Sequence, residues 1–210
     1  MLTIFGANGK SGRKLIARLS ADGFSDSITA VLRRPEQAED PFFKQHGANT
    51  ATADVLDAQA CAAVIRDSKP QTVVSFVGGK NEEGIRSDAL GNINIIAATK
   101  AANPQARFVL ITSMGCGEQW DMMSEPFKQA LGEAVRAKTE AEIYLKQSGL
   151  NWTILRPCGL ADGEDNAYTL TQNAQEIPQK YMTRNGLAAA VAAIVGQADS
   201  KGETYSVGAA

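Results

Sequence analysis

The chain has 210 residues, 44% of them hydrophobic, and its 21 lysines and arginines against 23 aspartates and glutamates leave a formal net charge of -2. This length is enough for one domain with a sizeable core. Because the net charge is close to zero, electrostatic attraction gives no reason to expect nucleic acid or an anionic membrane surface as a partner. No apolar stretch approaches the ~20 residues of a membrane span, so we expect no membrane segment.

Short apolar runs rich in Val, Ile, Thr and Phe alternate along the chain with amphipathic stretches. The predicted strands are residues 2–5, 28–32, 49–55, 72–77, 108–112, 152–155 and 204–207. The predicted helices are residues 10–19, 57–67, 86–102, 125–147 and 185–195. Continuous apolar runs are typical of strands buried on both faces, and their alternation with helices indicates βαβ units.

We therefore predict one α/β domain over residues 1–210, a Rossmann-type doubly wound parallel sheet of six to seven strands with helices on both faces. Residues 158–182 interrupt the alternation and include the polar segment ADGEDNA. We expect this stretch to form a small loop region on the substrate side of the sheet.

The first predicted strand is followed by GANGKSG, residues 6–12, which invites two interpretations. A Walker P-loop would need a glycine at position 4, and Ile4 inside the strand excludes that ATP-binding turn. The spacing of Gly6, Gly9 and Gly12 matches a dinucleotide-binding turn, in which glycines permit a tight bend, backbone approach to the pyrophosphate and close helix packing. The residues predicted to bind the cofactor here are Gly6, Ala7, Asn8, Gly9, Lys10, Ser11 and Gly12.

The residues that follow the second strand predict which dinucleotide is bound. An acidic side chain there would hold the ribose of NAD, whereas cationic groups would hold the 2′-phosphate of NADP. Arg33 and Arg34 occupy this place, and Asp26 precedes the strand at the wrong end of the sheet. NADP(H) is therefore the expected cofactor, with NAD(H) less favoured. Further contacts to the cofactor are predicted at the ends of the next two strands, from Asp54, Val55, Val77, Gly78 and Gly79.

The cysteines and the histidine carry little chemistry. Cys61, Cys116 and Cys158 are widely spaced and odd in number, and His46 is the only histidine. Such usage is typical of a reducing compartment, so we expect a cytoplasmic protein with no disulfide and no metal site. A strand that begins at Leu2 also leaves no room for a signal peptide.

Seven segments in register resemble the atypical short-chain dehydrogenase/reductases, in particular the NAD(P)H-binding group of NmrA-like and flavin/biliverdin-reductase-like proteins. The segments are IFGANGKSG, LRRP, ADVLD, LGNINIIAATKAA, FVLITSMG, SGLNWTILRP and GETYSVG. The resemblance implies that Ser113 and Lys138 are catalytic, with Lys138 on the nicotinamide ribose, and that Thr112, Pro157 and Cys158 line the cofactor. The alternative for Lys138 is a solvent-exposed lysine on the helix without a role in binding. The alternative for Ser113 is a hydroxyl that bonds only to the local backbone.

The family's helical tyrosine is missing, because position 134 is Ala134. Hydride transfer to a carbonyl creates an alkoxide, which needs an acid or a strong hydrogen-bond donor. Ser113, Lys138, a water molecule, Tyr168 or Tyr181 could take this role. Alternatively, the acceptor delocalises the charge itself, as flavins, quinones and conjugated tetrapyrroles do, so that positioning over the nicotinamide is sufficient.

Residues 115–129 follow the fifth strand and are rich in aromatic and methionine side chains. The predicted substrate pocket consists of Met114, Trp120, Met123, Phe127 and Tyr168. The sequence thus favours an NADPH-dependent reductase of a small conjugated or carbonyl substrate, acting as a monomer or homodimer. A non-catalytic NADP(H) sensor or scaffold is the alternative, which Ala134 favours, and an NAD(P)-dependent epimerase or isomerase is the third hypothesis.

Overall fold

The computed structural model describes residues 1–177, 179–197 and 201–210, and its centre is an eight-stranded sheet. In chain order the strands are β1 (Leu2–Phe5), β2 (Ile28–Leu32), β3 (Ala48–Thr52), β4 (Thr72–Ser75), β5 (Arg107–Ile111), β6 (Asn151–Pro157), β7 (Gly159–Ala161), β8 (Thr169–Thr171), β9 (Tyr181–Thr183) and β10 (Glu203–Gly208). The sheet order is β3-β2-β1-β4-β5-β6-β10-β8, and β7 pairs with β9 in a small separate sheet.

Helices cover both faces of the sheet, as the continuous apolarity of the strands predicts. The α-helices are α1 (Lys10–Ala21), α2 (Pro41–Gln45), α3 (Ala58–Ser68), α4 (Leu90–Ala102), α5 (Glu125–Gln147) and α6 (Arg184–Gly196). Helices α1 and α6 share one apolar cluster with the sheet, and α3, α4 and α5 share the other. The fold is therefore a doubly wound Rossmann arrangement. None of the helices described in it is long and apolar enough to cross a bilayer.

The sheet has more strands than the six or seven predicted, because β8 adds to its edge. This strand pairs antiparallel with β10, with Thr171 opposite Ser206. Its three residues come from residues 158–182, where polar side chains leave no alternation to detect and backbone pairing alone defines the strand. Residue 178 of that stretch lies outside the described residues.

Two element boundaries differ from the sequence prediction by three or more residues, for local reasons. Strand β3 ends at Thr52 instead of residue 55, because the Asp54 carboxylate accepts a hydrogen bond from the Leu56 N–H at 2.9 Å and turns the chain. Helix α4 begins at Leu90 instead of residue 86, because the preceding residues form a loop anchored by the buried side chain of Asp88.

The order of the strands reverses between β1 and β4, which lie side by side with Phe5 opposite Ser75. In open α/β sheets, ligands bind in the crevice beyond the carboxyl ends of the strands at such a reversal. The glycine turn follows β1 directly, and the segment from Phe76 to Gly79 follows β4. The fold therefore brings both predicted cofactor segments to the same crevice.

Candidate active site

The glycine turn has the geometry that a pyrophosphate-binding loop requires. Gly6 has φ = 72°, which favours glycine, and its carbonyl accepts the Gly9 N–H at 3.0 Å. A Cβ on Gly12 would lie 2.5 Å from the Gly6 carbonyl oxygen, so only glycine allows α1 to pack this closely. The N-cap of α1 is Gly9, which has no side chain to cap the helix. The first N–H groups of α1 are thus available to an anion.

A cavity of about 360 Å³ lies on one side of this turn, beyond the ends of β1, β2 and β4. The cofactor residues predicted from sequence that line it are Gly6, Asn8, Gly9, Arg33, Val55, Val77 and Gly78. Its size and its place next to the second strand suit the adenosine half of a dinucleotide. We refer to it as the adenosine cavity.

Three of the cofactor residues predicted at the ends of β2, β3 and β4 do not line the adenosine cavity. Arg34 points away, with its guanidinium 3.3 Å from Glu36 Oε1 and 3.4 Å from Glu82 Oε1. The carboxylate of Asp54 is engaged by its own turn. Gly79 donates its N–H to the Asp88 carboxylate at 2.9 Å.

A larger cavity, of about 850 Å³, extends from the other side of the turn and shares Gly6, Gly9 and Phe76 with the adenosine cavity. We call it the main cavity. The residues predicted from sequence that line it are Gly6, Gly9, Lys10, Ser11, Gly12, Thr112, Ser113, Met114, Met123, Phe127, Lys138, Pro157 and Cys158. Ala7 is fully buried beneath the turn. The two cavities meet at Gly6, Gly9 and Phe76, so there is space for a ligand on both sides of the glycine turn.

The wall of the main cavity differs in part from the predicted substrate pocket. The Trp120 ring packs on α5, where the Arg136 guanidinium lies 5.5 Å from its centroid, and Tyr168 packs on the apolar cluster beneath α6. Neither lines the cavity. Leu131, Lys180 and Arg184, which the sequence interpretation did not place in the pocket, line the main cavity. Met122 of the predicted 115–129 segment also lines it, as does Tyr181, which the sequence suggested only as a possible proton donor. Helical spacing on α5 from Phe127 to Leu131 is the signal that could have identified one of them.

Lys138 is held by a buried acid instead of by solvent. Its Nζ lies 3.0 Å from Asp88 Oδ1, and only 17% of its side chain is exposed. Burial acts to raise the pKa of Asp88, but the charge of Lys138, followed by the Gly79 N–H, outweighs it and leaves that pKa below 3.8. Ala134 lies one turn earlier on α5 and presents no hydroxyl. The ammonium group of Lys138 therefore reaches the main cavity in a defined position.

A second buried network joins β6 and α5 to the segment that leads to the wall of the main cavity. Arg156 of β6 is fully buried and donates to both oxygens of Glu142 on α5, at 3.0 and 2.6 Å. It also bonds to Glu118, whose pKa this hydrogen bond lowers from 4.5. Glu118 lies in the 3-10 segment Gly117–Met122, which precedes the Met123 wall of the main cavity. The network thus connects that wall to the sheet.

Comparison with known proteins decides the family. The family described as NAD(P)H-binding matches residues 6–198 of the chain. The chain belongs to this NAD(P)H-binding family. It is 31% identical to ChuY, an anaerobillin reductase from Escherichia coli O157:H7, with a TM-score of 0.83 over 99% of this chain and 96% of ChuY. A Rossmann domain for a nicotinamide cofactor is therefore shown, and ChuY, which shares it, is an oxidoreductase, in agreement with the resemblance seen in the sequence.

Two further comparisons show how far the similarity of fold and of sequence extends. The fold alone is shared with a short-chain dehydrogenase/reductase from Veillonella parvula in complex with NADP, at 18% identity and a TM-score of 0.79 over 99% of this chain and 93% of that one. The chloroplastic protein At2g34460 of Arabidopsis thaliana is 28% identical to this chain over 165 residues. The match covers 75% of this chain and 58% of the length of the Arabidopsis protein. The cytoplasmic location stays a prediction.

The cysteines of this NAD(P)H-binding chain are not arranged for thiolate chemistry. Burial raises the pKa of Cys61 to about 12 and that of Cys116 to about 11, and it also raises the pKa of Cys158. A thiol with a raised pKa is neutral near pH 7 and a poor nucleophile. Among the residues described, no group of three or more His, Cys, Asp and Glu side chains is placed to hold a metal ion.

Proposed function

We propose that this chain is an NADPH-dependent reductase that transfers hydride to a conjugated acceptor carrying negative charge. The observation that carries the proposal is the main cavity itself. There the dinucleotide turn, Ser113, Lys138 and an apolar wall that includes Met123 and Phe127 face one space of about 850 Å³. A chain that only bound a dinucleotide would not need this additional apolar volume next to the predicted nicotinamide position.

The choice of NADPH rests on the lining of the adenosine cavity. Arg33 lies on its wall with Gln37, and none of the described residues that line it is an aspartate or glutamate. An acidic side chain is the usual partner of the NAD ribose, and arginine is suited to forked contacts with a phosphate. Arg33, in preference to Arg34, is therefore the residue we assign to the 2′-phosphate.

The charge of the acceptor follows from the lining of the main cavity. Its charged lining residues are Lys10, Lys138, Lys180 and Arg184. Asp88 and Asp162, which pair with three of these cations, do not line the cavity, so no carboxylate stands among the described residues of its wall. Cations on a surface of methionine and aromatic side chains favour a flat apolar molecule with anionic substituents. The anaerobillin reductase activity named for ChuY is consistent with an acceptor of this kind.

The mechanism assigns a separate task to each part of the site, and bound NADPH supplies the hydride. The N–H groups at the start of α1 bind the diphosphate, and Lys138 donates to ribose hydroxyls. The Ser113 hydroxyl donates a hydrogen bond to the acceptor atom that gains negative charge. Because Ala134 offers no acid, a conjugated acceptor that spreads this charge takes its proton from solvent.

The test is NADPH oxidation with pairs of acceptors that share a ring system and differ in charge. FMN is compared with riboflavin, and biliverdin with its dimethyl ester. We expect turnover of both members of a pair, with a lower KM for the anionic one, and a lower kcat in S113A. Equal KM values within each pair would contradict the proposed acceptor charge.

The second candidate is a non-catalytic NADP(H) sensor, which the absence of a tyrosine at Ala134 favours. A sensor needs the adenosine cavity and the glycine turn but no acceptor site. Tight NADPH binding without oxidation of any acceptor in the panel would support this function and overturn the reductase.

A further inference from the structure

We propose that Asp88 is a positioning residue. Its carboxylate holds the ammonium group of Lys138 at the edge of the main cavity, at the place where this ammonium group contacts the cofactor. This inference rests on the proposed function, because it assumes that Lys138 binds NADPH. It assigns a role in the site to a loop residue that does not itself line either cavity.

The two oxygens of Asp88 have separate partners. Oδ2 accepts the Gly79 N–H at 2.9 Å and bonds to Arg86 Nη1 at 2.9 Å, so two donors from its own loop fix the orientation of the carboxylate. Oδ1 is then directed at Lys138 Nζ, 3.0 Å away on α5. The loop thus holds Oδ2 in place, and Oδ1 is left to pair with Lys138.

Burial makes this arrangement rigid. Asp88 is 1% exposed, and removing a carboxylate from water is costly unless cations and hydrogen bonds compensate. Arg86 and Gly79 already supply a cation and a backbone donor within the loop. A lysine side chain is long and flexible, so its ammonium group needs a fixed partner to stay in one place. Asp88 is this fixed partner of Lys138, because Ala134, one helical turn before the lysine, has no hydroxyl group to bond to it.

The pair also lies at the junction of the two cavities. A Cβ on Gly78 would lie 2.7 Å from Asp88 Oδ1 and 2.8 Å from Lys138 Nζ, so the ion pair packs directly on this glycine. Gly78 lines the adenosine cavity, whereas Lys138 lines the main cavity. A dinucleotide bound in both cavities would run close to this point, and the position of Lys138 there would determine which atoms of the cofactor it reaches.

The experiment is a double-mutant cycle on NADPH affinity, measured by the fluorescence of the bound cofactor in the full chain. D88N is combined with K138M, which removes the ammonium group and keeps an unbranched side chain that is one atom shorter. We expect D88N to weaken NADPH binding by about tenfold when Lys138 is present and by less than about twofold in the K138M background. In turnover assays D88N should raise the KM for NADPH by more than it lowers kcat.

Glu133→Gln is the matched control. Glu133 is bonded to Arg86 at 3.3 Å and to Lys80 at 3.0 Å in the same network, and it does not contact Lys138. E133Q should bind NADPH within about twofold of the original chain. If D88N fails to fold, D88E, which keeps the charge and displaces it by one methylene, takes its place in the cycle.

Equal losses in the Lys138 and K138M backgrounds would overturn the inference, and so would unchanged affinity in D88N. Either result leaves the reductase proposal standing, because NADPH would still be bound and oxidised. Bound NADPH that is never oxidised would overturn the reductase alone, and absence of NADPH binding by the unaltered chain would overturn both.

Discussion

Arg156 and Glu142 form an ion pair in which 0% and 2% of the side chains are exposed. Arg156 belongs to β6 and Glu142 to α5, one turn beyond Lys138. The Thr112 hydroxyl donates to the same Glu142 carboxylate at 2.7 Å, from the residue that follows β5. Two central strands and the helix that carries Lys138 are thus connected at one buried carboxylate, next to Thr112, which lines the main cavity.

Removing Glu142 should destabilise the whole fold. In E142A the buried guanidinium of Arg156 keeps only the exposed Glu118 as its acidic partner, so we expect the free energy of unfolding to fall by about 3 kcal/mol, as for other broken buried pairs. Urea denaturation measures the change. Asp67→Asn is the control, because its pair with Arg66 is exposed and should contribute less than about 1 kcal/mol. Equal effects of the two substitutions would contradict the prediction.

The contribution of Glu118 to stability should depend on pH. Its folded-state pKa is lowered by Arg156 from 4.5, so the unfolded state binds the proton more readily. The stability that this charge contributes is therefore fully present above pH 4.5 and is lost as the pH falls through the lowered pKa. Unfolding free energies of the original chain and of E118Q should differ near neutral pH and converge in acid. A difference that stays constant into acid would refute this assignment.

Arg33 should discriminate between the two nicotinamide cofactors. R33A is expected to weaken NADPH binding by about tenfold to a hundredfold, because a charged hydrogen bond to the 2′-phosphate is lost, and to leave NADH binding nearly unchanged. R34A is the matched control, since Arg34 is turned toward Glu36 and Glu82. Dissociation constants for both cofactors provide the measurement, and equal losses for NADPH and NADH in R33A would exclude the assignment.

Asp162 should oppose the binding of anions in the main cavity. Its two oxygens lie 2.9 Å from Lys10 Nζ and 2.7 Å from Arg184 Nη1, and the hydrogen bond from Lys10 is the main cause of its lowered pKa. D162N frees both cations, so we expect NADPH to bind up to about fivefold more tightly, with the gain declining as salt increases.

The control for D162N is D165N, in the same loop. Asp165 accepts the Ala167 N–H at 2.9 Å, and no ion pair is formed by it among the described residues. The substitution should therefore leave the dissociation constant of NADPH unchanged. Weaker binding in D162N would show instead that Asp162 holds the loop over the cofactor.

The sequence by itself determined the doubly wound sheet, the glycine turn and the nicotinamide cofactor. These follow from local features: the apolar runs define the strands, and the spacing of Gly6, Gly9 and Gly12 defines a turn between a strand and a helix. The absence of a tyrosine at Ala134 could also be recognised, because helix α5 keeps a regular period from that position to Lys138. Each of these features depends on residues that are close together in the chain.

Only the tertiary structure decided which side chains meet in the site. Arg33 and Arg34 are adjacent in the chain, yet one lines a cavity and the other pairs with Glu82 from a distant loop. Asp88 and Lys138 are fifty positions apart, and nothing in the sequence around either residue predicts that they form an ion pair. Contacts between residues far apart in the chain depend on long-range packing. Asp88 lies in the loop before α4, and only the folded chain brings this loop against α5, where its carboxylate meets the ammonium group of Lys138.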